Sequence, residues 1–122
     1  MKVKELFEEE HLFEMSNLSK NTTGLDRTIW VSVKIHSSGP RIKVNYDNSL
    51  SFNTSNNFSV SISENPRVVA GDTEENVIKK IGKNSLEDIF DWIKLNKTAL
   101  EKYWNFQIDT SELLLTLKTL NP

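Results

Sequence analysis

The sequence has no cysteine, only four glycines and three prolines among its 122 residues, and no long hydrophobic run. Without cysteine, disulfide frameworks, thiol nucleophiles and thiolate metal sites are excluded. The glycines are scattered and form none of the Gly-rich loops that bind phosphate groups. Because residues 1–15 carry five acidic groups and no apolar run, we expect neither a secretory signal nor a membrane span. The expected location is cytoplasmic.

The composition predicts one folded domain. With 37% hydrophobic and 26% charged residues, the chain has enough apolar material for one core, so we treat residues 1–122 as a single domain. Fifteen basic residues against 17 acidic ones give a formal charge of −2. This balance argues against electrostatic capture of nucleic acid by the whole domain, although a local basic patch remains open.

Alternation of apolar and polar residues predicts a small antiparallel sheet over residues 27–70. Strands are expected at about 28–36, 41–46 and 58–63, with a fourth, shorter strand at 67–70 as an option. Turn residues at 37–40 join the first two strands into a hairpin. Residues 47–57, the Asn-rich loop, are read as a long connection.

Helical periodicity predicts the rest of an α+β fold. Helices are expected at about 86–105 and 110–120, covering one face of the sheet, within a mostly helical region 71–122. Ser85 with Asp88, and Asp109 with Glu112, have the spacing of helix-capping pairs. A short N-terminal helix is expected within residues 1–15, followed by an irregular connector over 16–26.

The outer face of the hairpin is the one surface with a distinctive charge pattern. The simplest register places Lys34 opposite Lys43 and His36 opposite Arg41, with Trp30 near the same surface. Like charges directly opposite each other repel, so an anionic partner would relieve them. We therefore predict a binding surface made of Trp30, Lys34, His36, Arg41 and Lys43. The alternative is that the lysines are simply hydrated and that Trp30 lies under the Asn-rich loop.

No catalytic, metal-binding or cofactor motif is present in the sequence. Zinc-binding His-Glu-x-x-His and nucleophile-elbow patterns are missing, and we expect neither a metal nor a cofactor. The only polar groups available for an unrecognised enzyme site are Asp72, Glu74, His36 and Arg41. Whether the protein is an enzyme stays open, with the missing motifs favouring a non-enzymatic protein.

Three blocks resemble a family of small uncharacterised bacterial and phage proteins, a domain of unknown function. They are Thr-Gly-Leu at 23–25 with Ile-Trp-Val-Ser at 29–32, Gly-Pro-Arg-Ile-Lys-Val at 39–44 with Val-Ser-Ile-Ser-Glu-Asn-Pro at 60–66, and Asp-Trp-Ile at 91–93 with Tyr-Trp-Asn at 103–105. The resemblance spans residues 17–120. It implies a bacterial or phage setting, because relatives of this family lie near toxin–antitoxin-like or mobile-element genes, but it implies no activity.

Two functions from different classes follow. The first is a non-enzymatic interaction or regulatory module, antitoxin-like or host-interfering, that binds a protein partner through the exposed face of the 28–46 hairpin. The second is a nucleic-acid-binding protein that uses the same basic face, with cation contacts and aromatic stacking. No membrane partner is expected. A homodimer is compatible with the consecutive leucines at 113–115, which exceed what one narrow helical core face requires.

Overall fold

The computed structural model describes residues 15–32, 39–47 and 49–120. Within them the chain forms an antiparallel sheet of five strands in the order β1-β2-β3-β4-β5, together with four helices. The elements in chain order are β1 (Met15–Leu18), α1 (Lys20–Thr23), β2 (Ile29–Ser32), β3 (Arg41–Asn45), β4 (Asn57–Ser61), β5 (Val68–Val69), α2 (Glu74–Ile81), α3 (Lys83–Trp104) and α4 (Thr110–Thr116).

The predicted α+β class is confirmed, but the sheet has one strand more than the three to four expected. The additional strand, β1, lies in what we had expected to be an irregular connector at 16–26, and pairs Leu18 with Ile29. Sequence alternation missed it because Leu18 is the only apolar residue in a polar stretch, and pairing to a neighbouring strand stabilises it. The optional fourth strand is present as β5. The N-terminal helix expected within 1–15 lies outside the described residues, except that Met15 begins β1.

The core lies between the inner face of the sheet and α3. Alternate residues of the three central strands point inward and are buried, namely Ile29, Val31, Ile42, Val44, Phe58 and Val60. Opposite them, α3 buries residues at helical spacing, including Leu86, Ile89, Trp92, Ile93 and Leu100. This two-layer packing is the arrangement expected for helices that cover one face of an antiparallel sheet.

The helices α2 and α4 begin at capping side chains, whereas α1 and α3 begin without a side-chain cap. The predicted Asp109–Glu112 capping box is confirmed, with Glu112 N donating to Asp109 Oδ1 at 2.8 Å and Asp109 N donating to Glu112 Oε1 at 2.9 Å. The Ser85 cap is wrong, because α3 begins at Lys83 and Ser85 lies within it. The Ser85 hydroxyl instead donates to Asp26 Oδ2 at 2.6 Å and ties α3 to the loop before β2.

After α4 the chain forms an extended tail over residues 117–120 instead of continuing as the helix predicted to 120. The tail exchanges intrahelical bonds for tertiary ones: Leu120 N donates to the Thr23 carbonyl at 2.8 Å, and Thr119 Oγ1 donates to the Thr22 carbonyl at 3.0 Å. The tail packs so closely on Gly24 that a Cβ there would overlap the carbonyl oxygen of Leu120. Thus α1 and the tail form one unit.

Candidate functional site

The hairpin register differs from the predicted one by four residues. Lys43 lies opposite Trp30, and Ile29 lies opposite Val44, so Lys43 does not face Lys34. A shift of four keeps every side chain on its own face, and alternation therefore cannot distinguish the two registers. The predicted like-charge pair between Lys34 and Lys43 is wrong, and the repulsion argument based on it no longer applies.

Trp30 is covered by the Asn-rich loop, of which the structure describes residues 47 and 49–57. The ring is 6% exposed and packs against Phe52, with a centroid separation of 5.4 Å. The buried Asn45 amide positions the loop by donating to the Ser51 carbonyl at 2.8 Å and accepting from Asn53 N at 2.9 Å. A nucleic-acid base cannot stack on Trp30 unless Phe52 leaves.

The two described cations of the predicted surface, Arg41 and Lys43, form hydrogen bonds within the protein. Lys43 is partly buried and donates to Ser59 Oγ at 3.1 Å, while Arg41 donates to the Gly39 carbonyl at 3.2 Å. Burial, together with the charge of Arg41, lowers the pKa of the Lys43 ammonium below its ordinary value. Lys34 and His36 lie outside the described residues. The structure therefore brings Trp30 and Lys43 together but leaves little free surface around them.

Of the polar groups considered for catalysis, Asp72 is engaged in a hydrogen-bond network. Asp72 accepts hydrogen bonds from the Tyr46 hydroxyl and from Asn76 Nδ2, the latter at 2.8 Å, and Lys80 lies 4.4 Å from the centre of the Tyr46 ring. Burial and the hydrogen bond to Asp72 raise the pKa of Tyr46, so the phenol stays protonated as a donor. Burial acts to raise the pKa of Asp72, but the bonds from Tyr46 and Asn76 outweigh it and the pKa is lowered.

No hydrogen bond or ion pair joins these groups to the other catalytic candidates within the part of the chain that the structure describes. Glu74 lies exposed in the first turn of α2, and Arg41 contacts Gly39. His36 is outside the described residues. The Tyr46–Asp72 contact links the end of β3 to the start of α2.

A concave site lies elsewhere, between the C-terminal half of α3 and the chain that follows it. This lysine groove has a volume of about 260 Å³. Its lining consists of Leu95, Asn96, Thr98, Ala99, Lys102, Ile108, Thr116 and Lys118. Two lysines and no carboxylate line it, and three aliphatic side chains contribute apolar surface.

Asn96 builds one wall of the groove. The backbone of α3 leaves helical geometry at this residue, and its buried amide pairs with the backbone of Lys118: Nδ2 donates to the Lys118 carbonyl at 3.0 Å, and Lys118 N donates to Oδ1 at 2.7 Å. The same Nδ2 also donates to the Trp92 carbonyl at 3.1 Å. One side chain thus kinks the helix and fixes the position of the tail.

Among the described residues, the two groove lysines, Lys102 in α3 and Lys118 in the tail, have no acidic partner, in contrast to the other lysines of α3. Lys83, Lys94 and Lys97 each lie within 4 Å of a carboxylate three or four residues away, at 3.9, 3.7 and 3.2 Å respectively. Neither Lys102 nor Lys118 has a side-chain ion pair or hydrogen bond with any described residue. Their positive charge is available to a ligand.

Exposed apolar side chains occur in the same segments of the chain that line the groove. Of the six large hydrophobic residues that are exposed among the described residues, four fall between positions 95 and 115: Leu95, Phe106, Leu114 and Leu115. Phe106 is 64% exposed in a left-handed backbone conformation with φ of 63°, and Leu115 is 88% exposed. We call these four residues and the lysine groove together the α3–α4 surface.

Comparison of the chain with known proteins identified no relative. No protein-family model, curated protein or solved structure matches the chain. Residues 15–32, 39–47 and 49–120 contain no helix long and apolar enough to cross a bilayer, and no group of three or more acidic, histidine or cysteine side chains that could hold a metal ion.

The sequence reading missed the lysine groove because its two walls come from separate segments. A partial signal was present: Leu95, Ala99 and Lys102 are spaced to share one helical face, and Lys102 has no acidic residue three or four positions away. The position of Lys118 depends on where α4 ends and on its pairing with Asn96, neither of which follows from local pattern.

Proposed function

We propose that this protein is a non-enzymatic interaction module that binds a segment of a partner protein at the α3–α4 surface. The observation that carries the proposal is the concentration of exposed large apolar side chains there, four of the six among the described residues. Exposed apolar groups around a concave site are typical of protein-binding surfaces. The function keeps the class predicted from the sequence, but its location moves away from the hairpin face.

Phe106 supports this choice of surface. A non-glycine residue in the left-handed conformation costs about 1–2 kcal/mol. The cost is offset within the fold, because Phe106 ends α3 in a Schellman cap: Gln107 N donates to the Lys102 carbonyl at 2.8 Å, and Phe106 N donates to the Tyr103 carbonyl at 3.1 Å. This cap leaves the ring 64% exposed, so the ring is a large apolar group that a partner can cover.

A protein segment fits this surface better than a nucleic acid. The groove walls are aliphatic, and the aromatic ring predicted to stack on bases, Trp30, is covered by Phe52. The formal charge of −2 also opposes capture of a polyanion. The proposal retains a regulatory role, antitoxin-like or host-interfering, in the bacterial cytoplasm, for a protein of bacterial or phage origin. This part rests on the resemblance of residues 17–120 and on the cysteine-free sequence.

The test is a selection of displayed random-sequence short peptides against the purified protein. Enriched peptides should lose binding to a Phe106→Ser, Leu115→Ser double variant. They should still bind the control variant Leu50→Ser, which removes an apolar side chain of comparable exposure from the Asn-rich loop. Both groups are solvent-exposed, so the variants should unfold at the wild-type denaturant midpoint.

Two results would overturn the proposal. One is the enrichment of no peptide beyond that seen with an unrelated protein, or of peptides that ignore the double variant. The other is a wild-type dimer in sedimentation that the double variant dissociates, because the surface would then be covered by a second copy of the chain.

A further inference from the structure

We infer that the lysine groove recognises an acidic protein segment carrying an aliphatic side chain next to its carboxylates. The inference rests on the proposed function and specifies the class of partner. Its basis is the juxtaposition of two unpaired lysines with an aliphatic wall: Lys102 from α3 and Lys118 from the tail, with Leu95, Ala99 and Ile108 as the apolar lining.

The charge of the groove has one sign. Every other lysine of α3 has a carboxylate three or four residues away that offsets its charge, whereas the neighbours of Lys102 at those distances are Thr98, Ala99, Asn105 and Phe106. Lys118 likewise has no ion pair among the described residues. A ligand that supplies carboxylates gains Coulomb attraction without having to displace an existing partner.

The geometry of the groove is preset by backbone pairing. Both polar backbone groups of Lys118 are bonded to the Asn96 amide, and the next two tail residues are bonded to α1. Because the tail is held on both sides, the Lys118 side chain starts from a fixed point opposite α3. On the side of this protein, binding then orders only the two lysine side chains, which limits its share of the entropy cost of association.

The groove lies just below the usual size range of small-molecule sites. Small-molecule sites usually occupy roughly 300–1,000 Å³, whereas the groove has about 260 Å³. Leu95 is 44% exposed and contributes an aliphatic surface that an incoming apolar side chain can cover. An aliphatic anchor flanked by carboxylates therefore matches both the volume and the charge.

The probe is a blocked synthetic peptide with acidic residues on both sides of two leucines, labelled for fluorescence anisotropy. Two matched peptides replace the acidic residues with glutamine or the leucines with serine. Wild-type protein should bind the acidic leucine peptide with an affinity that falls as salt is raised, and each matched peptide at least about tenfold more weakly.

The protein variants locate the contact. Lys102→Glu with Lys118→Glu should weaken binding of the acidic leucine peptide at least about tenfold. Lys79→Glu with Lys83→Glu makes the same change in net charge on exposed lysines outside the groove and should leave the affinity within about twofold. Equal loss in both double variants would overturn the inference, since the attraction would then be a property of net charge.

Failure of this inference is distinguishable from failure of the proposed function. If the random-sequence selection yields neutral or basic peptides that depend on Phe106 and Leu115, the interaction module stands and the acidic specificity is wrong. A single-stranded oligonucleotide that binds wild type, loses affinity in the Lys102→Glu, Lys118→Glu variant and competes with the peptide would also overturn it, in favour of a nucleic-acid ligand.

Discussion

The outer face of the β2–β3 hairpin and the α3–α4 surface both carry lysine and aromatic side chains, yet they differ in what covers them. At the hairpin, Trp30 lies under Phe52 and Lys43 donates to Ser59. At the α3–α4 surface, Phe106 is exposed and Lys102 has no partner among the described residues. The same residue types are internally satisfied in one region and available in the other.

Loop and tail placement, rather than residue type, therefore determines which cations can meet a ligand. The Asn-rich loop folds back over the hairpin because the Asn45 amide replaces missing backbone partners for Ser51 and Asn53. A second asparagine, Asn96, acts in the same way on the tail, but there the result is an open groove.

The largest effect is expected for Asn96→Ala, which should lower the free energy of unfolding by about 2–4 kcal/mol. The change leaves both polar backbone groups of Lys118 and the Trp92 carbonyl without the amide that bonds them. Urea unfolding measures it. Asn105→Ala is the matched control, since it removes a single exposed bond to the Glu101 carbonyl and should cost less than about 0.5 kcal/mol. Similar losses in the two variants would contradict the role of Asn96.

Gly24→Ala should cost about 1–3 kcal/mol, because the added Cβ meets the Leu120 carbonyl and the backbone has φ of 80°. Thermal or urea unfolding checks this value. Gly71→Ala is the control: its φ of 93° carries similar strain, but no atom lies near the added Cβ. The excess cost at Gly24 measures how firmly the tail, and with it Lys118, is held against α1. No excess would mean that the tail moves away freely.

Phe52→Ala should expose Trp30, shift the tryptophan emission to longer wavelength and cost about 1–2 kcal/mol. Trp92 and Trp104 are buried elsewhere in the fold, so the shift reports on Trp30. Leu50→Ala in the same loop removes a side chain that is 74% exposed and should leave the spectrum unchanged. If Phe52→Ala also gains affinity for single-stranded DNA, the loop masks a nucleic-acid-binding surface on the hairpin.

The smallest effect is a pH dependence from Asp72. Its pKa is lowered in the folded protein, so its stabilisation is present above the ordinary carboxyl pKa of about 3.9 and is lost as the pH falls through the folded value. Asp72→Asn should therefore flatten the acid limb of stability plotted against pH. Asp88→Asn, at an exposed position of α3, is the control for the loss of one carboxylate. The urea midpoint at several acidic pH values is the measurement. Parallel curves for wild type and Asp72→Asn would contradict the network.

The sequence predicted the elements that depend on local periodicity and capping, and it failed where tertiary pairing decides. Alternation found β2, β3 and β4, and the Asp109–Glu112 spacing found the start of α4. Strand β1 was not predicted, because a polar segment around one leucine becomes a strand only by pairing with β2. The hairpin register was predicted wrongly, because a shift of four residues leaves every side chain on the same face of the sheet.

The candidate site was less predictable than the fold for the same physical reason. Trp30 and Lys43 share a cross-strand position, but the loop that covers Trp30 was visible only as a polar stretch. Lys118 reaches the groove because α4 ends at Thr116 and an amide in α3 replaces the next helical bonds. Contacts between residues 22 positions apart are not encoded in helical or strand spacing.

The most direct test of the central claim is to map the amide chemical-shift changes of the isotope-labelled protein as the acidic leucine peptide is added. The account predicts that the perturbed amides cluster at residues 95–102 and 106–118. Perturbations centred on β2, β3 and the Asn-rich loop, with the α3–α4 surface unchanged, would contradict it and return the binding site to the hairpin face.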